Sequence, residues 1–78
     1  MPLAPPTPDE ATLSFMEKEV KTSGRLDGIT VYAWLMRLTA RGVTPEQKAA
    51  LRLGLAMYGA RVDPAATDLI RGTLAKAS

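Results

Sequence analysis

Apolar side chains recur along this 78-residue chain at helical spacing rather than in alternation. In the first third, Leu13, Phe15, Met16 and Val20 fall on one broad side of a helix predicted over residues 8–21. Glu10, Glu17 and Lys21 lie away from that side, and Thr22-Ser23-Gly24 ends it before a loop at residues 25–28. A second helix is predicted over 29–40, with Ile29, Val31, Tyr32, Leu35, Met36 and Leu38 on its wide apolar face. Thr30, Trp34, Arg37 and Arg41 line the opposite face. A third, running from 45 to about 58 or 61, is apolar nearly all round. Leu51, Leu55, Tyr58 and Val62 form one stripe, and Ala49, Ala50, Leu53, Ala56, Met57 and Ala60 form another. A fourth, over 64–75, gathers Ala66, Leu69, Ile70, Thr73 and Leu74 on one side.

The helix starts carry the most specific local chemistry. Thr7-Pro8-Asp9-Glu10 and Thr44-Pro45-Glu46-Gln47 each read as a capping Thr, a Pro at the first helical position and a carboxyl or amide that reaches back. Asp63-Pro64 has the cap and the Pro, and Asp27 is the predicted cap of the second helix. Such side chains accept from first-turn N–H groups that have no partner within the helix. Gly42, in the turn Arg41-Gly42-Val43, suits a left-handed position after a helix. Residues 29–34 are rich in β-branched and aromatic types and also read as a strand. A lone strand would need a second copy to pair with, and the separation of apolar from polar positions favours helix. No internal repeat is read beyond the shared cap signature.

The expected fold is all-α: a compact bundle of three to four short helices over residues 8–78, behind an extended Pro-rich arm at residues 1–7. Pro2/Pro5 and Pro5/Pro8 satisfy P-x-x-P, a polyproline-ligand spacing that a stiff leader shares. Nothing at the N-terminus reads as a signal peptide, and the longest apolar run, residues 31–36, is far short of a membrane span. The chain is expected to be cytoplasmic, and its ends read as those of a complete protein.

Composition narrows the chemistry. There is no His and no Cys. A disulfide scaffold, a Cys/His zinc site, a Cys nucleophile and a His base are therefore excluded within the chain. Asp9, Glu10, Glu46 and Asp63 are explained by capping and the helix dipole. No cluster of acids has metal-ligand spacing, and no glycine-rich phosphate loop is present. The reading is non-enzymatic, with no catalytic residue, cofactor or metal. Net charge is +2, unevenly placed. Four acids against Lys18 give the first 20 residues −3, and the remainder carries +5. That bias favours an anionic partner for the second part.

Two features point to a partner. Trp34, Arg37 and Arg41 share one stripe of the second helix, close to Lys48 and Arg52 if the second and third helices pack antiparallel. Trp and Arg are enriched where interfaces concentrate their energy, and the same group could stack a base or hold phosphate. The competing reading has Trp34 packed at the bundle edge with the arginines lying over it. The doubled apolar surface of the third helix is the other feature; if the bundle leaves it uncovered, a homodimer through that helix would cover it. The expected function is thus a small interaction protein (regulator, inhibitor or accessory subunit, conceivably from a phage or mobile element) with a protein partner and no membrane. The alternative is a small DNA- or RNA-binding protein. Residues 41–46 look locally like the turn of a helix-turn-helix motif, where Val43 and Leu51 fit but Arg37, Arg41 and Lys48 fall at buried apolar positions. A ribbon-helix-helix arrangement would use residues 29–34 as its strand and leave the first helix without a role.

Overall fold

The computed structural model describes residues 6–76. Most of the arm, with the P-x-x-P pairs that use Pro2 and Pro5, lies outside the described residues. Four α-helices follow in order: α1 (Glu10–Ser23), α2 (Gly28–Leu38), α3 (Pro45–Tyr58) and α4 (Pro64–Lys76), with one 3₁₀ turn (Gly59–Arg61) after α3. The all-α bundle is as expected, and residues 29–34 are helical.

Local chemistry sets each start. The Thr44 hydroxyl accepts from the Gln47 N–H at 3.0 Å, and the Gln47 amide oxygen accepts from the Thr44 N–H at 2.9 Å, which closes the reciprocal box. Thr44→Ala is expected to remove about 1 kcal/mol of stability, measured by urea denaturation. Asp27 caps α2, accepting from both the N–H and the hydroxyl of Thr30 at 2.7 and 2.9 Å. Those bonds hold its carboxyl below the ordinary aspartate range, the Thr30 N–H being the larger cause. Because the folded state favours the ionised form, its stabilisation is complete above the unfolded pKa of about 3.9. It is lost as pH falls through the lower folded value. An acid melt of Asp27→Asn, which keeps a cap without a titrating group, should therefore be flatter below that pH than the wild type.

The start of α1 differs from expectation. Asp9, not Thr7, is the cap: its carboxylate takes both the N–H and the hydroxyl of Thr12 at 2.9 and 2.7 Å. Pro8 therefore precedes the helix. A carboxylate that can bond two donors of one residue outcompetes a more distant hydroxyl, and the choice turns Thr12 and Met16 inward, where both are buried. The Asp9 N–H is also held by the Glu46 carbonyl at 3.0 Å. Gly24 ends α1 in the left-handed region, at φ 82°, and its N–H donates to the Val20 carbonyl. Helix α2 stops at Leu38 rather than at 40: the Thr39 N–H and hydroxyl both donate to the Leu35 carbonyl, and the Ala40 N–H turns to the Arg37 carbonyl, three residues back. The Gly42 N–H then closes the turn on Thr39, with Gly42 at φ 91°.

Packing joins helices that are not neighbours in sequence. Helix α1 lies parallel to α3: Asp9 bonds Glu46 at the N-terminal ends, Met16 packs on Gly54 in the middle, and Lys21 lies beside Tyr58 at the far ends. Gly54 is required here, since a methyl group in its place would overlap the Met16 thioether. Helix α2 lies parallel to α4 in the same way, with Gly28 close to Ala65 and Tyr32 beside Asp68 and Leu69. The two loops between the paired helices are tied together. The Leu26 N–H donates to the Arg61 carbonyl at 2.7 Å, and the Asp63 N–H donates to the Leu26 carbonyl at 2.9 Å. Arg25 faces Asp63 at 3.7 Å, and Arg61 reaches the Gly24 carbonyl. The fold is thus two helix–loop–helix units side by side, an architectural repeat whose sequence trace is Arg25-Leu26-Asp27 and Arg61-Val62-Asp63. The core between the pairs is Met16, Leu26, Val31, Trp34, Leu35, Leu51, Val62, Ala66 and Ile70.

Candidate interaction surface

The expected orientation of α2 is rotated in the structure. Trp34 is buried at 8% exposure and stacks on Phe15 of α1, ring centroids 4.2 Å apart and planes 15° from parallel. Val31 and Leu35 are buried beside it. Ile29, Tyr32 and Met36, expected to face inward, are 85%, 55% and 57% exposed. The physical reason is that α2 is apolar on nearly every side, so its inward arc is chosen by its neighbours. Phe15 offers Trp34 a flat ring, and the small buried Ala66 lets α4 pack close.

The five residues expected to form a binding stripe are therefore not gathered into one. Trp34 is part of the core. Arg37, Arg41 and Arg52 are exposed and Lys48 is half-buried. None of these four cations forms an ion pair with a described residue. Their expected juxtaposition assumed that α2 packs antiparallel on α3, whereas α2 packs on α4 and α3 packs on α1. The second apolar stripe of α3 does remain partly uncovered, with Leu53 at 38% and Met57 at 58% exposure.

A different surface emerges from the rotation. Ile29, Tyr32 and Met36, spaced i, i+3 and i+7, form a ridge along the outer side of α2. Beside it runs a groove of about 440 Å³ between α2 and α4, with Leu35, Leu69 and Gly72 among its lining residues. Asp68 flanks it at the level of Ile29 and Tyr32, and Lys76 flanks it at the level of Met36 and Thr39. Two signals in the sequence mark this face. One is the recurrence of large apolar residues on the side of α2 opposite the Trp34 ring. The other is Gly72, a glycine inside a helix, where a side chain would meet nothing within 4 Å.

Four acidic groups elsewhere have structural partners among the described residues. Asp9 and Asp27 cap helices, Glu17 pairs with Lys21 at 2.7 Å, and Asp63 faces Arg25. Among the described residues no three acids converge as a metal site would need, and no helix is long and apolar enough to cross a membrane. Comparison with protein-family models, with curated proteins and with solved structures finds no match to this chain.

Proposed function

We propose that this chain is a small, non-enzymatic interaction module, a regulator or accessory subunit in kind, whose contact surface is the outer face of α2 with the α2/α4 groove. One observation carries the reading: three large apolar side chains stand exposed in a row beside a formed apolar groove. Isolated exposed apolar residues are ordinary, but a contiguous ridge with an adjoining groove is the usual mark of a contact site. The groove is flanked by an acid and a base, which gives a bound segment a direction.

Gly72 supports the same reading. Glycine inside a helix costs about 0.8–1 kcal/mol relative to alanine. Here no packing demand explains it, because the space above it is open. Gly72→Ala is expected to raise stability by up to about 1 kcal/mol, read by thermal or urea unfolding, while narrowing the groove.

A displayed peptide library panned on sparsely immobilised chain tests the proposal. The wild type should enrich peptides with apolar residues at helical spacing, and Met36→Asp should not. Failure to enrich any peptide overturns the reading. The nucleic-acid alternative retains the exposed Arg37, Arg41 and Arg52 but loses its stacking ring, since Trp34 is engaged by Phe15. Salt-sensitive binding to duplex or single-stranded oligonucleotides, lost in Arg37→Ala and kept in Met36→Asp, would put that alternative in place of the first reading.

A further inference from the structure

We propose that the occupant of the α2/α4 groove is an α-helix of another protein, laid antiparallel to α2 and α4, with acidic side chains in its first turn and basic ones in its last. This rests on the interaction-module reading and names the partner at that same surface. The groove walls decide the conformation. Both walls are helices, whose backbone groups are bonded within α2 and α4 themselves. An extended segment pressed against them would bury N–H and C=O groups that the walls cannot satisfy, whereas a helix satisfies its own. Length agrees. Asp68 and Lys76, eight residues apart on α4, are separated by about 12 Å, or two helical turns. Apolar anchors at i, i+3 or i+4, and i+7 span that distance. Gly72 sits midway and leaves the α4 wall bare, so a partner backbone can approach it.

Electrostatics decide the direction. Helix α2 runs parallel to α4, so the carbonyl ends of both helices lie at the Lys76 end of the groove. Their aligned dipoles make that end attractive to the N-terminus of a third helix. Asp68 flanks the other end, level with Tyr32. Any helix favours acids in its own first turn and bases in its last. In the antiparallel direction those side chains meet their opposites, acid toward Lys76 and base toward Asp68. In the parallel direction the same side chains would meet like charges at both ends. Neither Asp68 nor Lys76 forms an ion pair with a described residue, so both are open to a partner.

The displayed library supplies the probe. Peptides enriched by the wild type should share an acid before, and a base after, apolar residues at i, i+3 or i+4, and i+7. A synthetic copy of the most enriched peptide should gain helical circular dichroism on binding. Asp68→Lys and Lys76→Asp, read by fluorescence anisotropy, should each weaken its binding about fivefold at low salt. Replacing the peptide's C-terminal base by Glu should restore affinity for Asp68→Lys. Replacing its N-terminal acid by Lys should restore affinity for Lys76→Asp. Rescue from the opposite ends, the absence of any charge effect, or a peptide that binds without becoming helical overturns the proposal and leaves the surface reading standing. A wild-type dimer in sedimentation equilibrium that Met36→Asp abolishes would put a second copy in the groove and also overturns it. If no peptide is enriched, both readings fail.

Discussion

Trp34→Ala should leave most of the chain unfolded. Truncating a buried large aromatic costs about 3–5 kcal/mol, and a single core in a chain this short supplies a similar total. Trp34 is 8% exposed and stacked on Phe15 at 4.2 Å, so the loss is both of buried area and of a ring pair that joins α1 to α2. Far-ultraviolet circular dichroism with urea should show a sharply reduced midpoint or no transition at all. Trp34→Phe, which keeps a ring against Phe15, should retain a cooperative transition at an intermediate midpoint. The opposite outcome, a stable Trp34→Ala variant deficient only in association, would return Trp34 to the surface role that sharing a stripe with Arg37 and Arg41 suggested.

Leu51→Ala is the second large effect. Leu51 is fully buried on α3 and belongs to the central cluster, so its truncation should cost about 2–5 kcal/mol. The control is two residues away. Leu53 is 38% exposed on the same helix, and Leu53→Ala should cost well under half as much. Urea unfolding of the pair reads how far α3 is committed inward. Equal losses would mean that Leu53 is covered, by the bundle or by another molecule.

Much of the fold is legible in the residues themselves. The Thr44 box and the Asp27 cap follow from short-range chemistry, because donor and acceptor are three residues apart and nothing distant competes. Gly54, a glycine inside a helix, reads as a close approach, and Met16 fills the space. Asp9 shows where such reasoning slips: Thr7 and Asp9, two residues apart, can both cap a helix, and Asp9 is the one whose N–H is held by the Glu46 carbonyl of a distant helix. The candidate surface was misplaced for a related reason. In α2 every residue from Ile29 to Met36 except Thr30 is aromatic or aliphatic, so periodicity cannot say which arc faces in. The stacking partner on α1 says it, and local sequence does not encode that partner.

The parallel pairing has a consequence for how the chain becomes ordered. Helices joined by a short loop usually find each other first, but here α1 finds its main partner only beyond α2, and α2 finds its own only beyond α3. The Leu26–Val62 tie likewise spans the middle of the chain. The main helix pairings all cross between the halves, so neither half is expected to be stable alone. A nick in the Arg41-Gly42 turn would leave two fragments that gain structure only from one another. The molecule folds as one indivisible unit, at the slower pace that non-local contacts impose.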